Sequence, residues 1–258
     1  MQSKESIVLF VNARDEPSIH EWIAHHLNLG FNHIFVFDHK SVVPITVSKA
    51  VSKYVSVIRV NLPDGNVKIP LMNDAVRISQ HNRINWMIYL DADEYIYLKN
   101  TNKIHQLLSK FQNIDSLSLN WVMFGSNNHI TQPSGLLIDN FTCSDTIANK
   151  HIKMFVRPNK VTLCTNPHFY VTKLTAKNKH ISGFIMPSKT PFFDTNQDYT
   201  TMDAFIAHYV MQSEHEFSRR KGRIMDDGTV NKNESYPDMH LHHNVCANTL
   251  LRDKYSAE

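Results

Sequence analysis

Three carboxylates interrupt an apolar run. Trp86–Leu98 reads WMIYLDADEYIYL, with Asp91, Asp93 and Glu94 between two stretches that a fold would bury. Isolated acids are costly to bury, so the cluster has to face positive charge. In an extended strand alternate side chains share a face, so Asp91 and Asp93 would point the same way across Ala92. Two adjacent carboxylates repel unless a cation or a shared proton intervenes. Oxygen-only donors suit a hard divalent ion, Mg2+ or Mn2+, and two protein carboxylates leave coordination positions for phosphate oxygens. The competing reading is a solvated turn, because D-x-D recurs by chance. The position favours chemistry: the acids close a buried strand, and burial resumes at Tyr95.

The elements that would position these acids follow from hydrophobic periodicity. SIVLFVN, HIFVFD, YVSVIRV and WMIYLD have strand length and apolar content. PSIHEWIAHHLNLG carries Ile19, Trp22, Ile23 and Leu27 at helical spacing, with Pro17 at its start and Gly30 at its end. IPLMNDAVRISQHN places Leu71, Ala75 and Ile78 on one helical side. Strands alternating with helices predict a mostly parallel, doubly wound sheet whose ligands bind at the carboxyl ends of the strands. Asn12, Ala13, Arg14, Asp38 and Asp91 fall at such ends. Beyond Leu98 come a short helix (NKIHQLLSKF), a strand (DSLSLNWVMF), β-like runs at Ile152–Val156 and His180–Met186, and a helical SEHEFSRRKGRIM. The expectation is a single domain over 1–258, with a nucleotide-binding half (1–100), an acceptor-side half (101–225) and a polar, partly mobile tail (226–258).

Composition excludes several classes. The chain has 258 residues, 42% hydrophobic and 20% charged, with a net charge of +3, which fits a globular protein and gives no sign of nucleic-acid binding. Cys143, Cys164 and Cys246 form no CxxC pair, so neither a disulfide framework nor a zinc ribbon is expected. Neither a signal peptide nor a stretch of transmembrane length is evident, so the sequons at Asn140 and Asn233 carry no weight and a cytoplasmic protein, soluble or peripherally membrane-associated, is expected. With seven glycines and no G-x-G-x-x-G or Walker motif, no glycine-rich loop cradles a phosphate.

Five segments in order resemble nucleotide-sugar glycosyltransferases of the GT-A fold, the family-2-like and family-92-like group. They are ARDEPSIHEWIAHHLNLGFNHIFVFDHKS, WMIYLDADEYIYL, WVMFGSNNH, KMFVRPNKV with PHFY, and AFIAHYVMQSEHEFSRRKGR. Asp15, Tyr95 and Ala207 depart from the group's Asn, Phe and Asn. The resemblance implies an α/β GT-A fold, a Rossmann-like mostly parallel sheet flanked by helices with a mixed α+β C-terminal half. It implies sugar transfer from a nucleotide-sugar, with uridine diphosphate the expected carrier, to a glycan or other hydroxyl acceptor.

The same resemblance implies roles. Asp93 would ligate the cation directly, Asp91 would reach it or the ribose, and His208 would be a third ligand unless it is a core histidine; His168 is the runner-up. Ala13, Arg14, Asp38, Arg77, Ala92 and Lys153 would contact the nucleotide or diphosphate, as would Lys221, although Arg14 could instead pair with Glu16. Trp121, Phe124, Gly125 and Ser126 would form the acceptor side, unless Trp121 is core. An inverting enzyme needs a carboxylate base, and among Asp139, Asp145, Asp194, Asp198 and Asp203 we favour Asp194, whose aromatic neighbours would desolvate it and raise its pKa. His240 to His243 could bind metal adventitiously. Two other classes compete: a metal-dependent phosphohydrolase or nucleotidyltransferase, which would need a second acidic cluster, and a non-catalytic sugar-nucleotide or glycan-binding module, which would need no base.

Overall fold

Four parallel strands form the first half of the sheet. The computed structural model describes residues 5–111, 113–187, 189–220 and 243–256. Strand β1 (Ile7–Ala13) lies between β2 (His33–His39) and β4 (Trp86–Leu90), and β3 (Val55–Val60) flanks β2. Alternation along β1 sorts its side chains. Ile7, Leu9 and Val11 join the core on one face with Trp22 and Ile23 of helix α1 (Ile19–Asn28). Val8 and Phe10 join the other core with Leu71, Met72 and Ala75 of helix α2 (Lys68–His81). Gly30 takes φ +89 just past α1, the left-handed conformation a helix end favours in glycine.

The second half continues the same sheet. Beyond β4 come β8 (Asn149–Val156), β6 (Ser116–Met123), β12 (Ala204–His208) and β5 (Glu94–Leu98), with β11 (Asn178–His180) also on β6. Strand β8 is antiparallel to both neighbours, and β5 is antiparallel to β12. Only Asp91, Ala92 and Asp93 connect β4 to β5, although three strands separate them in the sheet. Flat strands about 4.8 Å apart would put them roughly 19 Å from each other, more than this short link comfortably spans. The sheet therefore curls, and the link closes as a turn in which the Glu94 amide donates to the Asp91 carbonyl at 3.1 Å.

At the free edge of β5, α1 caps exposed carbonyls: Trp22 Nε1 donates to Glu94 O (2.7 Å) and His25 Nε2 to Ile96 O (2.9 Å). The described part of the expected tail is ordered against the domain. Cys246–Ala247 pairs with the strand Cys143–Ser144, and the helix Leu250–Tyr255 buries Leu251 and Tyr255. The packing of residues 243–256 was missed because their few apolar residues sit among polar ones. Residues 221–242, including Lys221 and His240–His242, lie outside the described residues.

Candidate functional site

The turn between β4 and β5 changes the geometry expected of the acids. Because Asp91–Asp93 is a turn and not a strand, the two aspartates do not share a face, and each meets its own partners. Asp91 Oδ1 accepts from Lys68 Nζ, and Asp91 Oδ2 accepts from Lys153 Nζ at 3.1 Å. Asp93 Oδ1 lies 3.6 Å from His208 Nε2, and Asp93 Oδ2 accepts from Arg220 at 3.3 Å. Glu94 is fully buried, 3.4 Å from Lys153 Nζ, and accepts the Asp91 amide at 2.9 Å.

Strand register brings these groups together. Lys153 lies three residues before Val156 on β8, and Val156 pairs with Met87 in antiparallel register, so Lys153 comes level with Leu90, next to Asp91. His208 ends β12 directly opposite Glu94, the first residue of β5, and so lies beside Asp93. Helix α2 begins at the carboxyl edge of the sheet, which puts its first residue, Lys68, over Asp91. Arg77 is nine residues further on, about 13 Å along the axis. It pairs on the surface with Asp74, so the helix meets the site through Lys68 and not, as expected, through Arg77.

The field of these charges sets protonation. Burial raises the Asp91 pKa, but Lys153 and Lys68 outweigh it and hold the carboxyl far below its ordinary range. At Asp93 burial is likewise outweighed, here by His208 and Arg220. His208 is raised: its burial opposes the charged form, and Asp93 prevails. Glu94 goes the other way, up to about 7, because burial and Asp91 together exceed the help from Lys153. Glu16, in the loop before α1, also rises to about 7, through burial and then the Asp93 charge, and its Oε1 is buried without a hydrogen-bond partner.

Aromatic rings wall one side. Trp121 is 8% exposed, and its ring centroid lies 4.3 Å from His208, 5.0 Å from His151 and 4.9 Å from His168. His168 is held down to about 3 by burial and the Lys153 charge, and its Nδ1 donates to Ile152 O. His151 Nδ1 bonds Asn149 Oδ1 at 2.7 Å.

Other expected site residues fall elsewhere. Ala13 is buried at the end of β1, and Arg14 is half exposed and pairs with Asp64, not Glu16. Asp38 is buried and spent on its own loop: Oδ1 accepts from Ser41 N, and Oδ2 from Ile45 N and Arg59. Its oxygens are engaged where a base or ribose donor was expected. Phe124 and Ser126 are buried, and a Cβ on Gly125 would stand 2.4 Å from Asn244 Oδ1. Gly125 and Ser126 thus seat the C-terminal segment, and Phe124 packs against Tyr209, where an acceptor face was expected. Asp194 is exposed, with Oδ1 accepting from Asn196 N, so the desolvation expected of it is absent; Phe192 beside it is itself 42% exposed. His243 faces Asp145 at 3.0 Å.

Among the described residues no three His, Cys, Asp or Glu side chains converge as ligands. Asp93 and His208 nevertheless fit a divalent ion as a pair. Ligand distances near 2.1 Å put two neighbouring donors about 3 to 4 Å apart, which their 3.6 Å satisfies. Asp91, with both oxygens on lysines, does not fit as a direct ligand. Lys68, Arg220, Glu16 and His151 were missed in the sequence. The only available signal for Lys68 was a cation at the start of the helix that ends near the D-x-D strand.

The family model described as glycosyltransferase family 92 matches residues 9–244. No curated protein matches the chain. Among solved structures, a UDP-glucose pyrophosphorylase complexed with UDP-glucose is 10% identical, with a TM-score of 0.32, over 60% of this chain and 77% of that one. A putative glucose-1-phosphate thymidylyltransferase from Bacillus anthracis in complex with a sucrose is 8% identical, with a TM-score of 0.33, over 60% and 72%.

Proposed function

Since the chain belongs to glycosyltransferase family 92, we propose that it transfers a sugar from a nucleotide-sugar, UDP-linked, to a hydroxyl of a glycan-type acceptor. The observation that carries this reading is the juxtaposition, at the carboxyl edge of the strands, of the Asp91–Lys68–Lys153 cluster with the Asp93–His208 pair. Asp93 and His208 are the residues that would hold a divalent cation, Mn2+ or Mg2+, which would neutralise charge growing on the leaving diphosphate.

The chain's own groups supply the rest. Lys68 presents a cation at the rim of the site, where it complements diphosphate oxygens, and Asp91 aims it. Lys153, held between Asp91 and Glu94, fixes the turn and keeps positive potential beneath the leaving group. His151, only partly buried and stacked on the buried Trp121, offers the aromatic surface against which a sugar ring packs. For the proton acceptor we assign Glu16 in place of Asp194, because Glu16 is a buried carboxyl near Asp93 with one oxygen uncommitted.

The test is nucleoside diphosphate release from a panel of sugar nucleotides with Mn2+ and a mixed hydroxyl acceptor panel. Wild type should release diphosphate from one donor. Asp93→Ala and His208→Ala should lose release by about 10²-fold or more, and Glu16→Gln should lose the acceptor-dependent part. No release above Asp93→Ala from any donor would sink the assignment.

A further inference from the structure

Between Asp145 and Asp194 the chain contains no acid. Residues 146–193 carry eight cations: Lys150, Lys153, Arg157, Lys160, Lys173, Lys177, Lys179 and Lys189. The whole chain has a net charge of only +3, so the remainder is net acidic and the positive charge is concentrated here. Three of the eight are spent inside the fold: Lys153 in the site, Arg157 on Glu5 and Lys160 on Asp115. Lys173 and Lys177 are exposed, and Lys179 is half-buried.

These lysines surround apolar side chains that are mostly left in solvent, although the Phe184 ring also lies 6.0 Å from that of Phe193. The segment 178–186 is a hairpin in which His180 N donates to Phe184 O and Met186 N to Asn178 O. Gly183, at φ +91, makes its tip. Lys179 and Ile185 are directly opposed, so their side chains share one face, and by strand alternation Lys177 joins them. Asn178, His180 and Met186 occupy the buried face. Ile185 is 82% exposed, Phe184 at the tip is 65% exposed, and Leu174, in the preceding turn, is 100% exposed.

We propose that this hairpin face docks on an anionic lipid bilayer, with Lys173, Lys177 and Lys179 at the phosphate level and Phe184 and Ile185 inserted among the acyl chains. Charge complementarity selects the partner. The segment brings no acid of its own, and the carboxylate beside it, Asp115, is held by Lys160 and the Lys177 amide. The exposed lysines therefore attract a dense negative surface, each contributing about fivefold in affinity near it. The exposed apolar tip selects a bilayer over a soluble polyanion, which has no interior to receive it. Among the described residues no helix is long and apolar enough to cross a membrane, and the hairpin requires none.

The experiment is co-sedimentation of the full chain with vesicles of phosphatidylcholine, with and without phosphatidylglycerol. Wild type should bind only the anionic vesicles, and less so as salt rises. Lys177→Glu with Lys179→Glu should weaken binding by about 25-fold or more. Phe184→Ser with Ile185→Ser, which keeps every charge, should weaken it by about tenfold or more. Unchanged melting temperatures would show that both variants fold. Equal binding to neutral vesicles, no binding to anionic ones, or vesicle binding indifferent to either pair of substitutions would overturn the proposal. So would heparin binding as tight as vesicle binding and indifferent to the serine pair, which would assign the patch to a soluble polyanion.

Discussion

Lys153 shows how a single residue reconciles the acids with burial. It is 1% exposed, lies within 3.4 Å of two carboxylates, and supplies charge that the local sequence around Asp91 lacks. Removing one partner of a buried ionic cluster leaves the other uncompensated. Lys153→Met should therefore cost about 3 kcal/mol or more in urea unfolding. Glu94→Gln in the same chain should recover part of the loss, which a double-mutant cycle would read. Lys68 is a different case, because it sits at the rim of the site on the first turn of α2. Lys68→Ala should lower kcat by about 10²-fold with little change in melting temperature. An equal loss of both would return Lys68 to a purely structural role. Lys153 entered the expected site only through the family resemblance, and Lys68 not at all: they lie 62 and 23 positions from Asp91, and pairing across such distances is set by register, which local pattern does not carry.

At the scale of elements, α1 does more than cover a sheet face. It closes the open edge of β5, and it does so with a buried histidine. His25 donates to Ile96 O while its Nδ1 has no partner, and burial holds the ring down to about 4. In the unfolded chain the same ring titrates near 6.5. Below that pH the unfolded state takes up a proton that the fold refuses, so stability is full above about pH 6.5 and is lost as pH falls towards 4. The loss is about 3 kcal/mol from His25 alone. His26, 0% exposed and also lowered, adds in the same direction. Denaturant unfolding at pH 7 and at pH 4.5 should show this slope, and His25→Gln should flatten it. The elements themselves were mostly readable: β1 to β4, α1 and α2 each carry their own periodicity within a residue or two of the observed ends. Strand β5 was not, because after Glu94 the run YIYL is apolar at every position and looked like β4 continuing. The turn that separates them also redirected the aspartates. A strand would have aimed both at one ion, whereas a turn gives Asp91 to the lysines and leaves Asp93 beside His208.

In the whole molecule the two halves expected from the sequence are interleaved. Strand β5 belongs to the first hundred residues, yet it lies at the far edge of the second half, and residues 243–256 return to brace both. Gly125 is where that return is tightest, with His243 O and Asn244 Oδ1 at 2.5 and 2.4 Å from an added Cβ. Gly125→Ala should push the segment away at a cost of about 1 to 3 kcal/mol, and limited proteolysis should then cut the C-terminal helix sooner than in wild type. The curled sheet also has a consequence during synthesis. Strand β5 leaves the ribosome with its apolar side chains ready, but its sheet partner β12 follows roughly a hundred residues later. At about 5–20 residues per second, Tyr95, Ile96 and Tyr97 wait about 5 to 20 s for the strand that pairs with them. A nascent chain of this protein therefore presents an unpaired, aromatic-rich edge while those roughly one hundred residues are made. Whatever shields that edge in the interval should bear on yield in cells, alongside the stability of the finished fold.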